Sequence, residues 1–225
     1  FDFQRLAWFN RLGAVGYSRK PVEVLAPPED SLALAAFRVR MQLSRAMQDR
    51  MEGQAGALSS AFMTGDRSGV SAETNEIMRA SNLSHMISIS GLHMGLLVGF
   101  IFALIRYGIA AIPPLALRLP AKKIAAAVAL VAATGYLALA GPDVATERAY
   151  IMAAVMLAAV LVERRGVTLR TLAIAAVVLL AAEPESLTEP GFQMSFGATA
   201  ALILVFEPWS RVQHRVPVWL RPVAM

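Results

Sequence analysis

The sequence contains no cysteine, which excludes disulfides, thiolate metal sites and cysteine catalysis. Histidine is nearly as scarce. His85, His93 and His214 are the only three, and their spacing matches none of the usual ligand pairs. Neither a metal site nor a cofactor is expected. Charge is thin as well: Asp, Glu, Lys and Arg make up 16% of the 225 residues, where soluble domains average about 25%. The shortfall is uneven, because residues 1–84 carry 19 charged side chains and residues 86–105 carry none. A boundary therefore falls near His85. No secretory leader opens the chain, since Asp2, Arg5, Arg11, Arg19 and Lys20 interrupt its start. Beginning on Phe1, it reads as a fragment or a processed product.

Apolar sequence fills the space that charge leaves. A membrane-spanning helix needs roughly 20 mostly apolar residues. Met86–Ile105 meets that need, and Ile124–Ala140, Ala149–Val162, Val167–Ala182 and Gly191–Phe206 complete a set of five. Short buried helices of a soluble bundle are the alternative for the third and fourth alone. Loop charge argues against that alternative for the set. The first, third and fifth loops after these stretches hold ten Lys and Arg, while the second and fourth hold one, Arg148. Lys and Arg in short loops stay on the cytoplasmic side. Five crossings then place residues 1–84 outside the cytoplasm. The net charge of +5 reflects this topology, because the external region is almost neutral, with ten basic and nine acidic residues.

The fold expected is an all-α membrane protein of about five spans. Amphipathic helices and the tail of a small β domain precede them. Phe3, Leu6, Phe9 and Leu12 fall at helical spacing, and Val15, Tyr17, Val22 and Val24 suggest a strand or hairpin before Pro27–Pro28. Ser31–Glu52 predicts a helix with Leu32, Ala36, Val39, Leu43 and Met47 along its apolar face, packed on the membrane region or a neighbouring domain, or else lying in the outer headgroup layer with its arginines meeting lipid phosphates. Ala57–Met63 predicts a short helix. Thr64–Gly69 (TGDRSG) follows as a turn, with Ser71 as N-cap and Glu73 in the first turn of the next helix, which runs to about Ser81. The domains expected are residues 1–28, 29–83 and 84–225, the last continuing beyond this chain.

Polar groups within an apolar span are costly and usually face protein or water. Ser84, Ser88, Gly91, Gly95 and Gly99 form a small-residue stripe of the kind that lets a second helix approach closely. Ser90 and His93 fall on another face. His93 is read either as a neutral histidine bonded to a neighbouring helix or as the lining of a wet path. Gln193 and Ser195 add polar groups on the last stretch. Glu147 and Arg148 form an adjacent ion pair, or Arg148 points into the bundle. Asp66 and Arg67 sit in a rigid turn where they would shape an outer entrance. Intramembrane serine hydrolysis is set aside: two side chains three apart on one continuous helix bond each other poorly, and no GxSG-type loop is present.

Four segments carry a resemblance. The GDRSG turn is followed by Ser84–Leu96 (SHMISISGLHMGL), then Arg148–Met152 (RAYIM), then Pro184 and Gly191–Phe196 (GFQMSF). In order and approximate spacing they resemble the signature of the ComEC competence domain, over about residues 30–207. Residues 1–26 look like the end of the OB-type domain that precedes it in that family. The resemblance implies an inner-membrane channel passing single-stranded DNA into the cytoplasm during natural transformation. Membrane lipids and the remaining competence machinery would be its partners. Ser90, His93, Gln193 and Ser195 would line or brace the path, Ser88, Gly91, Gly95 and Gly99 would pack helices, and Asp66, Arg67 and Arg148 would shape the entrance. Many members also carry a metallo-β-lactamase-like domain. Its His- and Asp-rich motif is not in this sequence, so no enzymatic activity is expected of this chain. A small-molecule or lipid-precursor transporter on the same scaffold, or a non-conducting scaffold, is the alternative.

Overall fold

The computed structural model describes residues 3–9, 12–17, 30–83, 89–141 and 143–212. The chain separates into two compact units, residues 1–31 and 32–225. In the first, α1 (Phe3–Phe9) is a short helix closed by a bond from Leu12 N to the Ala7 carbonyl at 2.8 Å. Residues 12–17 carry no strand, so Val15 and Tyr17 stand exposed outside any sheet, and the expected strand beyond them lies outside the described residues.

The second unit begins with α2 (Leu32–Arg50) and α3 (Gln54–Thr64), two helices joined by a three-residue turn. Their backbones meet at Gly56, where a Cβ would stand 2.7 Å from Gln48 Cα and 2.8 Å from the Met47 carbonyl oxygen. Any other residue would force the pair apart. α4 (Ala72–Ala80) starts at Ser71, whose hydroxyl accepts from Thr74 N at 3.1 Å, as its N-cap position predicts. The buried face of α2 differs from the expected one. Val39 and Leu43 are exposed, and the side chain turned fully inward is Ser44. The reason is its partner: α3 and the turn after it offer hydroxyls and a carboxylate, so a polar face is what can be buried there.

Among the described residues, three helices are long and apolar enough to cross a membrane: α5 (Gly91–Ala110), α7 (Ala121–Ala140) and α8 (Val144–Leu161). The one-and-a-half-turn α6 (Pro113–Arg118) links the first two. α9 (Leu169–Ala182) and α10 (Pro190–Val212) are shorter in their apolar part and are joined by a 3₁₀ turn, Pro184–Thr188. Each of the five predicted apolar stretches is thus a helix. α5 starts at Gly91, five residues later than expected, because Ser90 adopts an extended backbone and caps it.

α8 is the spine of this region. On one side Met94, Ala133 and Ala149 form a buried cluster, and Ala126, Ala129 and Leu157 form another further along, so α5, α7 and α8 pack as a trio. On the other side Leu172, Ala175, Leu179, Phe192, Phe196 and Ile203 pack α9 and α10 against Ile151, Met152 and Val155. Phe192 and Phe196 stack with ring centroids 4.4 Å apart. Close approach runs along the alanines of α7, where Ala125, Ala126, Ala129 and Ala133 have no exposed surface. That is the small-residue mechanism, which lets backbones meet and dispersion act where lipid gives apolar burial no advantage. On α5, by contrast, a Cβ at Gly95 or Gly99 would meet no atom within 4 Å, and Gly91 comes within ordinary contact of Ala149 at 3.8 Å. Leu92, Leu96, Phe100, Leu104 and Tyr107 share that outward face.

Candidate functional site

The polar groups gather at one end of the apolar helices. Met94 and Ala149 meet Ala133 there, which fixes that end as the starts of α5 and α8 and the finish of α7. The opposite end is marked by the Lys123–Glu163 ion pair at 2.7 Å. Hydrogen bonding and the charge of Lys123 hold the exposed Glu163 carboxyl below its usual range.

At the polar end the TGDRSG turn is locked from beneath. Ser44 Oγ donates to Asp66 Oδ2 at 2.5 Å and accepts from Gln48 Nε2 at 2.9 Å and from Ser60 Oγ at 2.8 Å. One donor and two acceptor positions exhaust a hydroxyl. Thr64 Oγ1 bonds the Ser60 carbonyl at 2.8 Å, and Asp66 Oδ1 accepts from Ser68 N at 3.0 Å, closing the turn. Ser44, Ser60 and Thr64 are fully buried. Partial burial works against the Asp66 charge, but the bonds from Ser44 and Ser68 and the nearby Arg40 outweigh it, and its pKa is lowered. Asp66 is therefore committed to this network, and Arg67 is exposed.

Sequence alone does not distinguish Arg40, one of several arginines on an amphipathic helix. In the structure its guanidinium lies against two glycines of positive φ, Gly65 (φ 71°) and Gly141 (φ 81°). Both positions favour glycine for backbone reasons, and a side chain at Gly141 would also collide with Arg40 Nη1. The Arg40 Nε is buried without a hydrogen-bond partner among the described residues. A Cβ at Gly65 would also stand 3.2 Å from both Ile89 Cδ1 and the Ala140 carbonyl oxygen. The turn is thus wedged between the approach to α5 and the α7–α8 loop.

Ser90 and His93 do bond each other, contrary to the expectation for a continuous helix. Ser90 is the N-cap, not a helical residue, and the His93 ring folds back over it. His93 Nδ1 accepts from Ser90 N at 3.2 Å, and Ser90 Oγ lies 3.1 Å from the same nitrogen. Accepting that N–H requires an unprotonated Nδ1, which leaves the neutral ring's proton on Nε2. The geometry is that of a capping box with histidine in the usual Glu position.

Arg148 turns inward rather than pairing with Glu147. It is 8% exposed, and its Nη1 reaches Glu189 Oε2 at 3.4 Å. Its guanidinium occupies the space a side chain at Gly191 would need, with Nη2 2.6 Å from the ideal Cβ position. Gln193 is exposed and donates to the Leu187 carbonyl at 3.2 Å, while Ser195 gives its carbonyl to Thr199 Oγ1 at 2.8 Å. α8 separates these two from the Ser90–His93 pair, which sits on its other side. Ser88 lies outside the described residues, as does His85. No cluster of His, Asp and Glu suited to a metal ion occurs among the described residues.

Motifs scattered along the sequence therefore meet in space: TGDRSG touches Ile89 of SISGLH, and Arg148 of RAYIM touches Gly191 of GFQMSF. Apolar helices of spanning length, finished at one end by these contacts, define a membrane-associated helical protein. Residues 62–224 match the family model described as Competence protein, and the chain belongs to that family, the ComEC-type competence proteins. It is similar to ComE operon protein 3 of Bacillus subtilis (strain 168), with 32% identity over 145 residues. That match covers 64% of this chain and 17% of the relative, so the chain spans a minor part of the length of that protein. No solved structure matches it significantly.

Proposed function

We propose that this chain is part of an inner-membrane conduit that admits single-stranded DNA to the cytoplasm during natural transformation. The observation that carries the reading is the convergence of the TGDRSG turn, the Ser90–His93 cap and the Arg148–Gly191 contact at one end of the apolar helices, in a chain of the competence family. The alternation of loop charge supports five crossings, with that end outside the cytoplasm. On this reading Asp66 and Arg67 belong to the entrance, and Ser90 and His93 brace the point where the turn meets α5. Gln193, Ser195 and Arg148 brace the neighbouring junction of α8 and α10. The small-residue stripe of α5, open within this chain, is where further helices of the full-length protein would pack. The OB-type reading of residues 1–28 rests on the resemblance alone.

The test is made in the full-length gene. Replacing His93 by Ala, at normal membrane abundance, is expected to leave labelled DNA outside the cytoplasm while its capture at the cell surface continues. Unchanged delivery after deletion of the whole gene would remove the assignment.

A further inference from the structure

Arg40 stands between two cavities that share it. One is an apolar groove of about 400 Å³ between α2 and α7, walled by Leu32, Ala36, Phe37, Leu137 and Ala138 and reaching Arg40, Gly141 and Glu147 at its end. The other is a polar cavity of about 380 Å³ lined by Arg40, Arg67, Gly65, Ile89, Gly141 and Asp143. We infer that the pair of cavities binds one anionic phospholipid, with an acyl chain in the groove and its phosphate on the Arg40 guanidinium, the head group filling the polar cavity beside Arg67.

Three observations point to that occupant. The groove is apolar along its length and charged at one end, which is the pattern of a lipid and not of a soluble solute or a nucleic-acid strand. Arg40 Nε is buried and unpartnered, so a donor is held in place with nothing described to receive it. A buried donor without an acceptor is costly, and a phosphate oxygen satisfies it with a charge-assisted bond. The position also suits a membrane surface. Leu137 lies four residues, about 6 Å, along α7 from Gly141, so the groove runs from the helix terminus toward its apolar interior. Asp66 is the nearby acid most able to compete for Arg40, and its oxygens are already held by Ser44 and Ser68. Asp143 and Glu147 also face the cavities. Across the two cavities Arg40 and Arg67 thus meet two carboxylates, so net charge does not select the occupant, and the preference for an anionic head group rests on the buried Arg40 Nε that has no acceptor among the described residues. The inference is independent of whether DNA passes through the protein.

The experiment uses the full-length protein in a neutral detergent and follows thermal unfolding as lipid is added. Phosphatidylglycerol is expected to raise the midpoint, and phosphatidylcholine with the same acyl chains is not. Arg40→Gln is expected to weaken the phosphatidylglycerol response on the order of tenfold in lipid concentration, the loss of one charge-assisted contact. Arg79→Gln, an exposed arginine on α4 paired with Glu76, is expected to leave it unchanged. Should Arg40→Gln fail to fold, Ala36→Trp fills the groove with Arg40 intact and is expected to abolish the response. An equal response to phosphatidylcholine, or a phosphatidylglycerol response that survives both substitutions, would overturn the inference. So would an Arg40-dependent response to a short single-stranded oligonucleotide with none to phosphatidylglycerol, which would assign the site to nucleic-acid phosphate.

Discussion

Ser44 shows how much one small side chain can organise. Its hydroxyl bonds Gln48, Ser60 and Asp66 together, and so ties α2 to α3 and to the TGDRSG turn. Ser44→Ala leaves buried hydroxyl and amide groups short of a partner, and is expected to cost about 1–3 kcal/mol, read as a lower unfolding midpoint in detergent. Asp66 makes the same network sensitive to acid. Its folded pKa lies below the unfolded value near 3.8, so its contribution is fully present above that value and is lost as pH falls through the folded pKa. Asp66→Asn is therefore expected to flatten the acid side of the stability profile while lowering stability at neutral pH. At the other junction, Gly191→Ala places a methyl group 2.6 Å from Arg148 Nη2, too close for both, and is expected to drive the guanidinium off Glu189. Because Arg148 is nearly buried, stripping it of its partner is the costly part. Gly191→Ala and Glu189→Gln are expected to destabilise less together than their separate effects would sum to, and a double-mutant cycle checks this.

Helix existence was legible in this sequence, and helix faces were less so. The five apolar stretches became α5, α7, α8, α9 and α10 because length and composition alone decide them. The start of α5 was misplaced because Met86–Ile105 reads as one apolar run, while the feature that opens the helix is a backbone cap at Ser90 that hydropathy cannot register. The buried face of α2 was missed for a related reason. Periodicity finds apolar stripes, and here the buried positions are Ser44 and its polar neighbours, chosen by the hydroxyls of Ser60 and Thr64 across from them. Arg40 escaped notice with it. The sequence offers the small-residue pattern on α5, yet among the described residues α7 is the helix whose small residues are packed. Ala129→Leu is therefore expected to overpack α7 against α5 and α8 and to cost about 1–3 kcal/mol, whereas Gly95→Ala is expected to be nearly silent for the stability of this unit. Comparing unfolding of the two variants in one detergent separates them.

At the scale of the whole molecule, what the fold achieves is to bring four separated motifs to one end of the apolar helices and to leave the basic loops at the other. Lys122, Lys123, Arg164 and Arg165 stand at or beside the far ends of α7 and α8, and Asp143, Glu147, Glu183 and Glu189 at or beside the near ends of α8, α9 and α10. That polarity could not be read as a site from the sequence, because each motif alone is a turn, a cap or a helix start. On the function proposed above, the converged end is the extracytoplasmic mouth of a membrane conduit. Because this chain has no cysteine of its own, the claim can be measured in intact cells with a membrane-impermeant maleimide, in a full-length background freed of any other cysteine. Leu187→Cys, on the exposed 3₁₀ turn beside Glu189, is expected to label from outside, and Arg165→Cys, in the α8–α9 loop, only after permeabilisation. Labelling of Arg165→Cys from outside, with Leu187→Cys protected, would contradict the account.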